Sequence, residues 1–116
     1  MLFRSQYPED PPALAAASAT GLFRIFQEAL TNIARHAEAT AITASLSVCR
    51  QQLIMKIADN GKGFDITAVK KKKTLGLLGM KERTLMMKGA YEITGKPGEG
   101  TSLSISIPLD TYNNLT

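Results

Sequence analysis

The strongest constraint on the fold is a change of hydrophobic period between residues 37 and 41. From Gly21 to Ala37 the apolar residues Leu22, Ile25, Phe26, Ala29, Leu30 and Ile33 recur every 3.6 residues, whereas from Ala41 the alternation is strictly two. The first pattern is one face of an amphipathic helix, with Ser18 or Thr20 placed to cap it. The second is a strand with one buried side: Ile42, Ala44, Leu46 and Val48 on one face, Thr43, Ser45, Ser47 and Cys49 on the other. A helix that turns straight into a half-buried strand must lay its apolar stripe on that strand's apolar face. The helix's other face sets Arg24, Glu28, Asn32 and His36 in one row, since residues four apart lie one above another.

The rest of the chain continues this plan. Arg50, Gln51 and Gln52 lead into a second alternating run in which Leu53, Met55 and Ile57 share one face, so the two runs read as a hairpin. Asp59 has the parity of those three residues and therefore emerges toward the helical layer, where a carboxylate needs a partner. Residues 60–75 form a long loop without apolar period, a length that in compact domains often marks a lid. Helical character returns from Gly76 to Lys88, with Gly89 as the expected C-cap. Tyr91 and Ile93 mark a strand, Gly95 to Gly100 a turn, and Leu103, Ile105 and Ile107 alternate with serines in the last strand. A short edge strand over Met1 to Gln6 precedes a proline-broken turn. The order predicts a single α/β (α+β) two-layer sandwich: a mixed, mainly antiparallel sheet with two helices on one face.

Composition removes several function classes. With one cysteine, Cys49, there is no internal disulfide, and with one histidine there is no zinc cluster. No apolar run approaches the roughly 20 residues a membrane helix needs, and no signal peptide opens the chain, so a cytoplasmic domain is expected. The net charge of +4 raises the question of nucleic acid. Residues 1–55, however, balance Arg4, Arg24, Arg35 and Arg50 against Glu9, Asp10, Glu28 and Glu38, and the excess sits in the run Lys70 to Lys73. Such a run, without interleaved readers, is a solvated loop rather than a nucleic-acid face. Mutual repulsion of its charges predicts that residues 66–74 are mobile without a ligand.

Three glycine clusters, Gly61 with Gly63, Gly76 with Gly79 and Gly98 with Gly100, bracket the loop and the last hairpin. Glycine lets backbone N–H groups approach phosphate oxygens. The common phosphate loops do not fit: Ile66 breaks the dinucleotide fingerprint after Gly63, and Thr101 stands where a Walker lysine belongs. Gly61 occupies a ligand position of a calcium loop, and no serine sits in a nucleophile elbow.

Taken together and in order, four motifs resemble the ATP-binding domain of sensor histidine kinases of the NarX and DesK class, in the superfamily shared with gyrase, MutL and anti-sigma-factor kinases. Residues Phe23 to Ala37 (FRIFQEALTNIARHA) are similar to its N box, Asp59 to Phe64 (DNGKGF) to its first glycine box, Gly76 to Arg83 (GLLGMKER) to its second, and Gly98 to Thr101 (GEGT) to its last. The resemblance implies a Bergerat-type fold with ATP between helices and sheet, under a lid at residues 60–75. It further implies that Asp59 accepts the adenine amino proton and that Asn32 ligates Mg²⁺. Arg35 and His36 would approach the phosphates. Gly61, Lys62 and Gly63, then Gly76, Leu77, Gly79 and Met80, would line the nucleotide, the latter group at a helix N-terminus suited to anions. Thr101 would support the adenine end. Glu28 would be catalytic, orienting or deprotonating an attacking nucleophile.

A histidine kinase also needs a dimerising domain bearing its phosphoacceptor histidine, and His36 lies within the nucleotide motif itself. The resemblance therefore implies a domain of a longer sensor kinase that donates the γ-phosphoryl of Mg·ATP to a histidine on that other domain, with a response regulator as indirect partner. It implies no nucleic acid and no membrane contact by this domain, although the whole sensor is compatible with a membrane anchor. A stand-alone serine kinase of the anti-sigma type is the alternative on the same fold, and a non-catalytic basic binding module is the third.

Overall fold

A computed structural model describes residues 2–6, 16–63 and 77–109; Gly76, the lysine run and most of the expected lid (64–75) lie outside the described residues, as do the side chains of His36 and Leu77. Five strands form one sheet. β1 (Leu2–Gln6) is followed by helix α1 (Ala16–Asn32), the hairpin β2 (Ala41–Cys49) and β3 (Gln52–Asp59), helix α2 (Leu77–Met86), and the hairpin β4 (Ala90–Lys96) and β5 (Gly100–Pro108). The spatial order is β1-β2-β3-β5-β4, parallel between β1 and β2 and antiparallel elsewhere. This is the expected two-layer sandwich.

The parity arguments hold at the core. Leu53, Met55 and Ile57 of β3 and Leu103, Ile105 and Ile107 of β5 are buried, and they pack with Leu22, Ile25, Ala29 and Ile33 of α1 in one cluster. On β2, Ile42 and Ala44 are buried but Val48 is 46% exposed, so the core thins toward the β2–β3 turn. The other side of the sheet carries Thr43, Ser47, Lys56 and Ser102, all exposed, which agrees with a sheet covered on one face.

Three local features differ from the expectation. Helix α1 begins at Ala16, so Ser18 and Thr20 lie inside its first turns rather than capping it. The two-residue turn between β2 and β3 uses Arg50 and Gln51, both at positive φ (52° and 62°), the conformation that a tight hairpin requires and that Asn or Gly usually supplies. Helix α2 ends at Met86, and the left-handed residue is Lys88 (φ 60°), not Gly89. The Gly89 N–H bonds to the Thr84 carbonyl at 3.0 Å and the Lys88 N–H to that of Leu85 at 2.9 Å, the paired bonds of a Schellman ending. Glycine is needed at 89 for space, because a methyl group there would stand 2.7 Å from Cγ2 of Ile107.

The buried face of α2 also departs from simple hydropathy. Met80 and Thr84 are buried and Met87 is packed partly against the core, while Leu85 is 57% and Met86 83% exposed. Thr84 tolerates full burial because its hydroxyl donates to the Met80 carbonyl at 2.8 Å. Met86 therefore lies off the packed side of α2.

Candidate functional site

The site assembles where β3 ends. Asp59 is the last residue of β3, paired across one edge with Ile42 of β2 and across the other with Thr101 of β5. Directly opposed residues share a face, so Asp59 and Thr101 both emerge on the helix-covered side, one step beyond the buried pair Ile57 and Leu103. Both are half-buried. The Asp59 carboxylate accepts a hydrogen bond on Oδ1 from the Gly61 N–H at 2.7 Å, which fixes its rotation. No described residue donates a hydrogen bond to its other oxygen, Oδ2.

The loop after Asp59 is held on both sides. Toward β2, the Asn60 side chain accepts hydrogen bonds on Oδ1 from the Thr40 and Ala41 N–H groups, each at 2.9 Å, and donates from Nδ2 to the Thr40 hydroxyl at 2.8 Å. Toward β5, Lys62 accepts a hydrogen bond on its carbonyl from the Gly98 N–H. Glycine is obligatory at two contacts on that side. Gly63 (φ 66°) lies against the carbonyls of Lys96 and Gly100, and Gly100 (φ 83°) lies against the carbonyl of Asp59, so a Cβ at either position would strike backbone. These glycines thus close the β4–β5 turn onto the β3 exit, and Gly61 is buried between the two supports.

Helix α1 brings the second half of the site. Glu28 and Asn32 lie one turn apart and are half-buried, whereas Arg35 is exposed. After Asn32 the helix does not continue in α geometry: Ile33–Ala37 form a π-helical turn that ends at Glu38 in the left-handed region (φ 52°). The i to i+5 bonding of such a turn departs from the 3.6-residue period on which the row of Arg24, Glu28 and Asn32 rests. The turn delivers the chain to Ala39, which is buried, and to Thr40, which Asn60 holds. The exit of α1 and the exit of β3 therefore meet at one end of the sandwich.

Helix α2 is joined to β4 by the short connection from Met86 to Ala90, and Met80 lies in the core. Met80 is 1% exposed, so only its backbone is available to a ligand. Among the described residues no group of three or more His, Cys, Asp or Glu side chains is placed to hold a metal. Asn60 lies within the first glycine-box motif, but its bonds to Thr40 and Ala41 carry no signal in the sequence.

A half-buried carboxylate beside a backbone cradle, facing the open end of an α/β sandwich, defines a nucleotide-binding domain. Residues 17–111 match the family described as histidine kinase-, DNA gyrase B- and HSP90-like ATPase (HATPase_c), and the chain belongs to that ATP-binding family. Its sequence is 43% identical over 98 residues to the signal transduction histidine-protein kinase/phosphatase DegS of Bacillus subtilis, covering 83% of this chain and 26% of that protein. It is 37% identical over 113 residues to the sensor histidine kinase LiaS of the same organism, covering 92% of this chain and 31% of that protein. The chain thus spans between a quarter and a third of these relatives. The histidine kinase domain of the Erythrobacter litoralis EL346 blue-light activated histidine kinase superposes with a TM-score of 0.82 at 22% identity, over 98% of this chain and 54% of that one, which establishes the likeness of fold. No described helix is long and apolar enough to cross a membrane.

Proposed function

We propose that this chain is the catalytic ATP-binding domain of a sensor histidine kinase, a single domain of a longer cytoplasmic or membrane-attached protein, and that it donates the γ-phosphoryl of Mg·ATP to a histidine on a separate dimerisation domain, from which a response regulator is served. The observation that carries the reading is the opposition of Asp59 and Thr101 on the helix-facing side of adjacent strands, with no described residue donating a hydrogen bond to Asp59 Oδ2. In this reading Oδ2 accepts the adenine amino proton and the Thr101 hydroxyl supports the same edge of the base. Gly61, Lys62 and Gly63 line the base side, and Gly76, Leu77, Gly79 and Met80 present backbone N–H groups to the phosphates at the start of α2.

Asn32 would ligate Mg²⁺ through its side-chain oxygen, and the ion would neutralise phosphate charge as it does in other phosphoryl transfers. Arg35 and His36 supply positive charge or hydrogen bonds on the phosphate side. Glu28, one turn before Asn32, orients the accepting histidine or takes its proton. Most of the catalysis is then positioning and charge neutralisation. The names of the relatives support the histidine kinase over a serine kinase on the same fold.

The test has two parts. Calorimetric titration should show that the chain binds ATP and ADP, with an affinity that depends on Mg²⁺; absence of adenine-nucleotide binding refutes the reading. Adding the dimerisation domain of its own kinase, with radiolabelled ATP, should then yield an acid-labile phosphohistidine on that domain. An acid-stable phosphoserine on a partner would instead assign the serine kinase.

A further inference from the structure

We propose that Asn60, acting with Thr40, is the positioning residue of the nucleotide site, holding the Asp59 carboxylate in fixed relation to the end of α1 that carries Asn32. The inference rests on the functional reading above, in which those two side chains meet opposite ends of one ligand.

Asn60 is exposed, so packing does not explain it. Its side-chain oxygen nevertheless accepts two hydrogen bonds and its amide donates a third, all to Thr40 and Ala41, while its own N–H donates to the Ala41 carbonyl at 3.3 Å. Both acceptor sites of the amide oxygen are used on one dipeptide some twenty residues away in sequence. Bonds of this length across such a separation fix two chain segments against each other rather than shape a local turn.

The two segments are those that deliver the ligand-facing groups. On one side Asn60 is bonded covalently to Asp59, whose carboxylate is in turn pinned by Gly61, so a displacement of Asn60 moves both the carboxylate and its anchor. On the other side Thr40 ends the path that leaves Asn32 through the π turn and the left-handed Glu38. A π turn and a left-handed non-glycine residue are both uncommon conformations that persist where their surroundings hold them. The Asn60 bonds to Thr40 and Ala41 supply such a hold at the end of the path. Without them, only the strand pairing of Ile42 with Asp59 and the Asn60 N–H bond to the Ala41 carbonyl join the exit of α1 to the exit of β3, and a nucleotide must then restore their finer relation at a cost in affinity.

The experiment compares ADP binding, with and without Mg²⁺, to the chain and to four variants. Asn60→Ala removes all three side-chain bonds and should weaken ADP by about tenfold. Asn60→Asp keeps two oxygens for the Thr40 and Ala41 N–H groups and lets the Thr40 hydroxyl donate, so it should restore affinity to within about twofold of the parent. Rescue by the conservative variant separates positioning from a general loss of stability. A folded Asn60→Ala protein with parental affinity, or an Asn60→Asp protein as weak as Asn60→Ala, overturns the inference while leaving adenine binding intact. If Asn60→Ala does not fold, Thr40→Val and Thr40→Ser decide: weaker binding by the first alone supports the latch, and equal affinities overturn it. A parent chain that binds no ADP overturns both this inference and the functional reading.

Discussion

Replacing Asp59 by asparagine preserves shape and inverts the hydrogen bonding of Oδ2, the atom that meets the adenine amino group in the proposed reading. The Gly61 N–H lies 2.7 Å from Oδ1 and demands an acceptor, so the asparagine must place its carbonyl oxygen there. Its NH₂ group is then forced into the position of Oδ2, where a donor would face the donor of an adenine amino group. The variant loses a charge-assisted hydrogen bond, about 1.5–3 kcal/mol, and gains nothing in exchange. That corresponds to about ten- to a hundredfold weaker binding of both ATP and ADP, with or without Mg²⁺. The same inversion carries a second expectation, because a base with a carbonyl in place of the amino group should now be accepted. Calorimetric titration with ADP and with inosine diphosphate measures both: the parent should prefer ADP, and the variant should narrow or reverse the preference. Unchanged ADP affinity in Asp59→Asn would refute the assignment of Asp59 to the base.

Other substitutions separate the parts of the molecule. Asn32→Ala should remove most of the Mg²⁺-dependent gain in ADP affinity and leave metal-free binding nearly unchanged; a parental response to Mg²⁺ in calorimetry would exclude Asn32 as ligand. Gly100→Ala should destabilise the domain by about 2 kcal/mol or more, since it combines a left-handed backbone with a collision against the Asp59 carbonyl, and thermal melting with and without nucleotide should show both stability and binding lost. Tyr91→Phe should do the opposite. The Tyr91 hydroxyl is buried without a hydrogen-bond partner among the described residues, so its removal should stabilise by about 1 kcal/mol and raise the Tm by about 4–8 °C. Burial pushes the Tyr91 phenol up to about 12 from 10.0, so the folded chain keeps this proton while the unfolded chain loses it, and stability falls as pH rises from 10 to 12. In denaturant titrations the Phe variant should lack that part of the alkaline loss.

What could be read from the sequence follows from which physical signal is local. The core of α1 and the inward faces of β3 and β5 are written in period, because burial of one face forces a repeat at 3.6 or at 2. Asp59 was legible for the same reason: its parity with Leu53, Met55 and Ile57 is arithmetic along one strand, and the register with Thr101 only places it. Signals failed where a partner distant in sequence decides the conformation. Thr84 is buried and Met86 exposed because Met80, Thr84 and Met87 form the side of α2 that packs on the core, and elements distant in sequence decide which side that is. Arg50 and Gln51 carry no turn signature, and the pairing of β2 with β3 imposes positive φ on them. The break in the period after Asn32 is of the same kind. A uniform helix would keep the 3.6 period beyond Asn32, but the chain arrives at Thr40, in position for Asn60, through a π turn ending in a left-handed residue. That irregular turn stands where two elements with separate packing demands, the exit of α1 and the exit of β3, are brought together.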